Sequence, residues 1–481
     1  MDLHRLLKII TLNAILLLSG CAGLGQLPAR ELPVQTTPEQ WQAAVETVDG
    51  SPQRWLLLLD DPLLEQLVAT ALVANPELQR VRAVLAEGRA QAIVAGAEQQ
   101  STLSASADAG RSGLGSQSAN SLSLGLSVGW ELDLWDKLSD SARAAEIDRQ
   151  ALLEDYRSAR LSLAANITKG WFAAIEASQQ LGLSQHLLEV LSARLAVLEE
   201  GYSSGLVAAL DVHLARANRA AESSRLATRE QTLGTRVRAL ELLLGHYPAN
   251  RQPLADRLPA LPGPIPAGLP SELLTRRYDV GAAQLRVESA WARLSRSHKD
   301  RFPRFNLTAS LGSRSEQLDR LLRGDTLIWS LLGGVAQPLL DGGRLKAQEA
   351  KALAQAQQRE ASYKDTVLRA FAEVEEALQQ ERQLLRSVTA LEVSVLESEL
   401  AEQLAAEQYR SGLVEYITLL EAQRRAFDAR STLIEGRNQQ LQNRIDLYLA
   451  LGGDFRLDAA LDPAPAPVNR PASIPPTQSP Q

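Results

Sequence analysis

The residues most often used for chemistry are scattered through this 481-residue chain without the spacing that a catalytic or metal site requires. The five histidines form no metal-ligand pattern: His4, His186, His213, His246 and His298. The sequence has neither a Walker A loop nor a Gly-x-Ser-x-Gly elbow, and its many Asp and Glu residues are typical of solvated helix faces. We therefore expect no enzymatic activity, no cofactor and no metal site.

The single cysteine, Cys21, is the residue whose position points to covalent chemistry. It follows a charged segment and the apolar run from Ile9 to Leu18, a pattern typical of a secretory signal peptide over residues 1–20. Leu18-Ser19-Gly20-Cys21 resembles the box at which bacterial lipoproteins are lipidated, and the following Ala22 favours delivery to the outer membrane. The alternative is a short buried helix with a chance cysteine. We expect Cys21 to carry acyl chains, palmitate among them, that anchor the mature N-terminus.

Composition narrows the class of protein. The formal net charge of −7, without a basic patch, does not indicate nucleic-acid binding. Hydrophobic residues make up 45% of the chain but aromatic residues only 4%, a balance that favours long helices packed side by side. After the signal segment no uninterrupted apolar run reaches about 18 residues, so we expect no membrane-spanning helix. A membrane crossing would therefore require strands.

An internal repeat organises the sequence. The segment from Tyr202 to Val207 reads Tyr-Ser-Ser-Gly-Leu-Val, and the segment from Tyr409 to Val414, 207 positions later, reads Tyr-Arg-Ser-Gly-Leu-Val. The same offset relates other positions: Tyr156 and Tyr363, Lys137-Leu138 and Arg344-Leu345, Leu244-Gly245 and Leu451-Gly452. We interpret the pattern as a duplication and expect two similar halves.

Each half contains two very long helical stretches joined by a glycine. The absence of proline over a long range predicts a continuous helix, and the glycine predicts its reversal. The predicted elements are the long helices 137–201 and 344–408, the turns at Gly205 and Gly412, and the return helices 206–245 and 413–452. Helices of this length need partners along their length, as in bundles and coiled coils.

Before each long helix the hydrophobic period changes to strict alternation, which predicts strands with one apolar and one polar face. The clearest strand runs from Ser121 to Asp133, with Thr102 to Gly110 as a weaker partner joined through Arg111 to Asn120. The predicted β-hairpins cover 101–134 and 303–340, and the second ends in a strand from about Leu327 to Leu339. The side chains expected to face lipid are Leu122, Leu124, Leu126, Val128 and Trp130.

These hairpins are long enough to cross a bilayer, which takes about 9–11 tilted strand residues. The alternative is a soluble sandwich with one wet face, but the lipoprotein signal favours the membrane. Four strands cannot close a barrel with a usable lumen, and an open sheet edge is not viable in lipid. Several copies of the chain are therefore expected to share one barrel.

The expected domain organisation has two repeats with flanking segments. The segments are a signal peptide 1–20, an irregular arm 21–60 around Trp41 and Trp55, a first repeat 61–245, a Pro-rich linker 246–272, a second repeat 273–453 and a Pro-rich tail 454–481. Within the first repeat, Asp61-Pro62 and Asn75-Pro76 are typical helix starts.

A series of modest motifs appears in a characteristic order over about residues 15 to 453. These are the lipobox, Asp60-Asp61-Pro62-Leu63-Leu64, Asn75-Pro76-Glu77-Leu78, Trp130-Glu131-Leu132-Asp133-Leu134-Trp135, Gln337-Pro338-Leu339-Leu340-Asp341-Gly342-Gly343-Arg344-Leu345 and the two glycine turns. The chain thereby resembles the outer-membrane factor family, the TolC-like channels of tripartite efflux systems, in its lipoprotein (NodT-type) branch.

The resemblance implies an α+β membrane protein that assembles as a homotrimer. Each chain would give four strands to a twelve-stranded β-barrel in the outer membrane and long helices to an α-helical barrel that crosses the periplasm. The implied function is a passive duct for drugs or other small solutes, supplied by an inner-membrane RND pump through a periplasmic adaptor protein.

The resemblance also implies roles for the glycine turns, which in the family form the periplasmic tip. Adaptor docking maps to Gly205, Leu206, Gly412 and Leu413, and the gate maps to Asp211, Tyr409 and Glu421. Val414 stands where one family pattern has a basic partner for the acidic gate residue, so an ionic lock does not carry over. The alternative role of Tyr409 and Tyr202 is packing of the turns.

Two other functions stay open at this point. One is the outer-membrane duct of a type I protein secretion system. The other is a non-conducting periplasmic coiled-coil lipoprotein that scaffolds the envelope, although a scaffold has no use for two alternating hairpins.

Overall fold

A computed structural model of the chain describes residues 38, 40–43, 55–115, 117–263, 268, 270–321, 323 and 327–454. The predicted signal peptide, Cys21 and the Pro-rich tail beyond residue 454 lie outside the described residues. In chain order the elements are α1 (Pro62–Ala74), α2 (Pro76–Ala97), β1 (Thr102–Leu114), β2 (Gln117–Leu132), α3 (Lys137–Ser203), α4 (Ala209–Leu243), α5 (Pro270–Arg276), α6 (Tyr278–Lys299), β3 (Arg304–Ser315), β4 (Leu327–Ala336), α7 (Arg344–Arg410) and α8 (Tyr416–Ala450).

Helix α1 begins where its capping residues require. Asp61 Oδ1 accepts hydrogen bonds from the backbone N–H groups of Leu63 and Leu64, each at 3.1 Å, and Pro62 occupies the first helical position. The other carboxylate oxygen of Asp61 accepts a hydrogen bond from Trp171 Nε1 at 2.7 Å. One side chain therefore both caps α1 and fixes it against the middle of α3.

The two helical hairpins repeat each other in length. Helices α3 and α7 have 67 residues each, and α4 and α8 have 35 each. At 1.5 Å per residue, the long helices are roughly 100 Å long. They continue to residues 203 and 410 rather than ending at 201 and 408, and the return helices span 209–243 and 416–450 rather than 206–245 and 413–452. The return helices begin later than predicted because the backbone of the preceding residue, Ala208 or Glu415, is extended and still belongs to the turn.

The four strands form one antiparallel sheet in the order β1-β2-β3-β4. The predicted connection over residues 111–120 is wrong, because most of this segment continues the ladder, with Arg111 opposite Asn120 and the reversal close to Gly115. Cross-strand pairing holds these small and polar residues extended despite their weak strand propensity. Strand β4 ends at Ala336 rather than near Leu339, since Pro338 has no N–H to donate to a ladder.

Helix α3 organises the helical part of the chain. Near the sheet it packs between α2 and α6, and nearer the glycine turns it packs between α4 and α8. Helix α7 packs against α6 and α8. Ion pairs join the layers, for example Arg286 of α6 with Asp155 of α3, and Lys169 of α3 with Asp446 of α8.

One described helix, α3, contains a window long and apolar enough to cross a membrane by composition alone. The prediction of no membrane-spanning helix rested on the lack of an uninterrupted apolar run of about 18 residues, and this window does not contradict it. Core helices of soluble proteins also pass the test, and α3 packs against five other helices along its length: α1, α2, α4, α6 and α8. The window is therefore weak evidence for a helical span.

The main hydrophobic core lies where α1, the end of α4 and the end of α8 meet α3. Trp55, in a short 3-10 helix of the N-terminal arm, stacks on Tyr448 with ring centroids 5.6 Å apart, and both rings are buried. Fully burying such large side chains stabilises the fold by about 1.5–3 kcal/mol each. The second half has its own core around Trp41, Val280 and Val367.

Candidate functional site

The apolar residues of the sheet share one exposed face. Leu126 lies opposite Leu311, and Leu311 lies opposite Trp329, so these side chains project to the same side. Their exposed fractions are 48%, 46% and 74%. The predicted lipid-facing residues alternate onto this face: Leu122, Leu124, Leu126, Val128 and Trp130. In an isolated chain a large apolar sheet face is therefore left uncovered.

The opposite face of the sheet is mainly polar. Ser127 lies opposite Ser310, which lies opposite Ser330, and the hydroxyl oxygens of Ser310 and Ser330 are 2.7 Å apart. Strand β4 departs from the pattern, because Ile328 and Leu332 lie on this polar face. One face of the sheet is therefore suited to contact lipid and the other to contact water, as in the wall of a membrane β-barrel.

The outer strands of the sheet leave hydrogen-bonding groups unused. Within the described chain, β1 pairs only with β2, and β4 pairs only with β3. Since β1 and β4 run in opposite directions, β4 of one copy and β1 of another would pair as an antiparallel ladder. Such pairing would close the sheet edges without any further element.

The two glycine turns have the same backbone geometry. Gly205 and Gly412 have φ values of +72° and +69°. The N–H of the leucine that follows each glycine donates to the carbonyl oxygen five residues earlier, at 2.8 Å for Leu206 and 2.9 Å for Leu413. This is the hydrogen bond of a Schellman cap, which requires a left-handed residue such as glycine. Leu206 and Leu413 are 85% and 75% exposed, so both turns present an apolar side chain to their surroundings.

Beyond the backbone, the two turns differ in what they bury. Tyr416, at the start of α8, is 1% exposed and packs among Leu198, Val212 and Ala215 of the first helical hairpin. Tyr409 lies against it with ring centroids 5.8 Å apart. The two hairpins are therefore joined at their tips by tyrosines that belong to the second one.

The predicted gate residues Asp211 and Tyr409 are brought close together. Burial raises the pKa of Tyr409, and the Asp211 carboxylate raises it further. Burial also raises the pKa of Tyr416, although the Arg194 guanidinium opposes this rise. Both phenols are consequently neutral over the physiological pH range.

The third predicted gate residue, Glu421, lies apart from this cluster. Its side chain is 59% exposed, and its carboxylate is 3.9 Å from the Arg425 guanidinium. It lines a cavity of about 230 Å³ between the hairpins, together with residues of α4 such as Leu214 and Asn218. Within one chain, two of the predicted gate residues, Asp211 and Tyr409, therefore lie together, whereas the third, Glu421, is exposed and lies elsewhere.

Tyr416 and Arg194 were not singled out from the sequence. Tyr416 carries a usable signal, because the duplication places Ala209 at the equivalent position of the first repeat. Arg194 carries the same kind of signal, because the duplication places Ala401 at the equivalent position of the second repeat, but its position near Tyr409 and Tyr416 depends on packing between the hairpins. Among the described residues there is also no group of three or more His, Cys, Asp or Glu side chains that could hold a metal ion.

These features can be compared with known proteins. A family model described as outer membrane efflux protein matches residues 67–246 and 269–453. The chain belongs to the outer membrane efflux protein family. This efflux protein is 30% identical to outer membrane protein OprJ of Pseudomonas aeruginosa, over 92% of its own length and 95% of OprJ. It is 26% identical to the probable outer membrane lipoprotein SilC of Salmonella typhimurium, over 93% and 99% of the two chains.

A solved structure supports the same assignment. The open state of the MtrE outer membrane channel of Neisseria gonorrhoeae superposes on this efflux protein with a TM-score of 0.79 at 27% identity, covering 90% of this chain and 99% of MtrE. The predicted fold class is confirmed, namely a trimeric outer-membrane channel with four strands per chain and a long helical barrel. The protein is an outer-membrane channel component of an efflux system, and its family is one of channels rather than enzymes.

Proposed function

We propose that this protein is the passive outer duct of a tripartite efflux system, in which a periplasmic adaptor connects it to an inner-membrane RND pump. Drugs or other small solutes are its cargo, and it performs no chemistry on them. The observation that carries the proposal is the pairing of an exposed apolar sheet at one end with two exposed leucine turns at the other. A chain built this way has one surface for lipid and another for a soluble partner.

Three copies complete the sheet of this protein. Each chain leaves one edge free at β1 and one at β4, and every free backbone group in lipid costs several kcal/mol. Closing four strands per chain into twelve removes all edges and gives a lumen wide enough for solutes. The polar Ser-rich face then lines the lumen, and the apolar face contacts outer-membrane lipid.

The orientation of the sheet is tested with two neighbouring substitutions on β2. Leu126→Arg places a charge in the apolar face, which costs about 2–4 kcal/mol near the bilayer midplane. Ser127→Arg places the same charge on the polar face. We expect Leu126→Arg to reduce assembly of trimers in outer-membrane fractions and Ser127→Arg to be tolerated. Equal losses for both variants would overturn the assignment of the faces.

The adaptor docks at the tip turns, at Gly205, Leu206, Gly412 and Leu413. Support comes from the exposed leucines and from the open space around the glycine Cα atoms, where an added Cβ atom would meet nothing within 4 Å. A partner backbone can therefore approach closely.

Docking is tested by Gly412→Trp, which should leave the trimer assembled but abolish efflux in a strain that lacks its own channel. A planar-bilayer recording of the same variant separates a docking defect from a conduction defect. Retained efflux with Gly412→Trp would show that the tip is not the docking site.

The gate consists of Asp211, Tyr409 and Glu421 in three copies. Rings of carboxylates near a pore entrance repel one another and attract cations. We expect Asp211→Ala or Glu421→Ala to change conductance or cation selectivity in planar bilayers without loss of assembly. If ion flow is unchanged in both variants, these residues are solvated helix surface.

The N-terminus of the mature chain is Cys21 and carries lipid. The support is Leu18-Ser19-Gly20-Cys21 and the lipoprotein name of the relative SilC. Mass spectrometry of the mature N-terminus should show a triacylated cysteine. An unmodified terminus, or retention of residues 1–20, would contradict the proposal.

A further inference from the structure

An open groove of about 420 Å³ lies between α6 and α7, in the part of the helical barrel nearest the sheet. Its floor consists of two small buried residues, Ala290 and Ala352. The polar side chains that line it can all donate hydrogen bonds, and none of them is acidic: Arg293, Gln355, Gln358, Arg359 and Ser362. We call this site the basic groove.

The basic groove lies on the inner side of the helical barrel. Arg293, Ala352 and Gln355 also line a second cavity, of about 450 Å³, whose walls come from α2, α3, α6 and α7 together. These four helices pack in a row in that order, so a cavity that touches all four lies on the concave side of the row. When three copies close into a ring, the concave side of each row faces the axis. The groove is therefore a feature of the duct wall, and it is built within one chain.

The two arginines of the groove differ in their partners. The Arg293 guanidinium forms an ion pair with Asp148 of α3, yet its side chain is still 54% exposed. Arg359 is exposed and forms no ion pair within the described part of the chain. Guanidinium groups bind carboxylates and phosphates through two parallel hydrogen bonds. One arginine fixed by a partner and one without, beside amide and hydroxyl donors, are suited to hold such an anion.

The acidic residues of the second cavity do not neutralise Arg359. Asp148 is already paired with Arg293. Asp300 lies within 4.0 Å of both Lys137 and Arg304. The remaining acid of that cavity belongs to α2, at the opposite end of the helix row from α7. The positive charge of the groove therefore remains available to a solute.

The first repeat fills the equivalent groove. Helices α2 and α6 have 22 residues each, and counting from their first residues places Gly88 where the second repeat has Ala290. The 207-residue offset places Leu152 where the second repeat has Arg359. Leu152 lies directly against Gly88, where an added Cβ atom would overlap the leucine side chain. The same arrangement of helices is thus closed by a leucine in one repeat and left open beside an arginine in the other.

We propose that the basic groove binds the carboxylate or phosphate group of anionic solutes in the duct, with Arg359 as the main contact and Arg293 beside it. The proposal rests on the proposed function as a duct and adds a substrate class to it, namely solutes that carry an anionic group. The volume of the groove is sufficient for a small organic anion. Because the groove is open to water, binding is weak enough for a solute to leave again.

The test measures binding of citrate and, separately, of inorganic phosphate to the purified trimer by titration calorimetry. Low ionic strength is used because salt screens exposed charges. We expect the wild type to bind at least one of the two anions. Arg359→Leu, which installs the residue of the first repeat, should weaken that binding at least tenfold, and Arg359→Lys should weaken it less because the charge is kept. If the wild type binds neither anion, or if Arg359→Leu binds as tightly as the wild type, the inference is overturned.

The matched control is Arg369→Leu. Arg369 is another exposed arginine of α7, its guanidinium lies 3.0 Å from the Asp365 carboxylate, and it lines neither cavity. We expect its affinity for either anion to stay within twofold of the wild type. Equal losses in Arg359→Leu and Arg369→Leu would show that only net charge matters and would overturn the site.

Planar-bilayer recordings separate the groove from the duct. Added citrate should reduce the current through the wild type more than the current through Arg359→Leu. Equal reductions in both would count against binding inside the duct. A wild type that binds citrate but never conducts would contradict the proposed duct and still support the site.

Discussion

The two tip turns share a sequence and a backbone but not a role in packing. Both end a 67-residue helix with a left-handed glycine and an exposed leucine. Yet Tyr202 of the first turn is 52% exposed, whereas Tyr409 of the second lies against the buried Tyr416. Local sequence therefore determines the backbone of both turns. Tyr416, which the first repeat does not have, determines that the second turn packs against the first helical hairpin.

The largest expected effect comes from making the second hairpin resemble the first. Tyr416→Ala restores the residue that the duplication has at position 209, and it leaves a cavity where an aromatic ring was buried. Large aromatic-to-alanine changes in cores cost about 3–5 kcal/mol. Hydrogen exchange of tip amides should then be roughly 100- to 4,000-fold faster, since 1.4 kcal/mol is a factor of ten. Tyr247→Ala, at an 86% exposed site, serves as the control, and similar exchange in both variants would contradict the asymmetry.

A smaller difference is expected between the duplicated tyrosines themselves. Tyr409→Ala removes an aromatic pair and a partly buried ring, which should cost about 1–2 kcal/mol. Tyr202→Ala changes an exposed side chain and should stay within about 0.5 kcal/mol. Chemical unfolding of the two purified variants gives the comparison. A larger loss of stability for Tyr202→Ala would mean that the first turn is the anchored one.

The glycines should respond equally, because their environments are equal. An alanine at either Gly205 or Gly412 meets no neighbouring atom and is penalised only for its positive φ, by about 1–2 kcal/mol. We expect Gly205→Ala and Gly412→Ala to lower the unfolding midpoint by the same amount. A difference larger than the measurement error would show that one turn is packed against neighbours that the other turn does not have.

The smallest expected effect is on the pH dependence of stability, and it comes from the two tyrosines at the second turn, Tyr409 and Tyr416. Burial raises the pKa of Tyr409 and Tyr416 in the folded chain above the value near 10 of an unfolded tyrosine. As pH rises above about 10, the unfolded chain loses phenolic protons first, so the free energy of unfolding falls. Replacing both tyrosines by phenylalanine should therefore make the free energy of unfolding decrease less above about pH 10 than in the wild type, as measured by chemical unfolding at a series of alkaline pH values. An identical alkaline decrease in the variant would show that the phenols do not contribute.

Much of the architecture could be predicted from local pattern. Absence of proline predicted the long helices to within two residues at their tip ends, and alternation predicted β2 and the apolar face through Leu126. The hairpin connection was predicted wrongly, because Gly- and Ser-rich segments do not reveal strand pairing that depends on a partner strand. The end of β4 was placed too late, because apolar residues continue past Pro338 although the ladder does not.

The sequence by itself determined the duplication, the reversal points at Gly205 and Gly412, and the exposed face of the sheet, since each depends on the periodicity or conformational freedom of neighbouring residues. Only the tertiary structure decided that Tyr416 and Arg194 belong with Asp211 and Tyr409, and that Glu421 lies apart. These groups come from four different helices, and α3 and α8 meet through long-range packing between residues more than two hundred positions apart. Local sequence patterns cannot predict this long-range contact, because the burial of a polar atom depends on residues that are distant in the sequence.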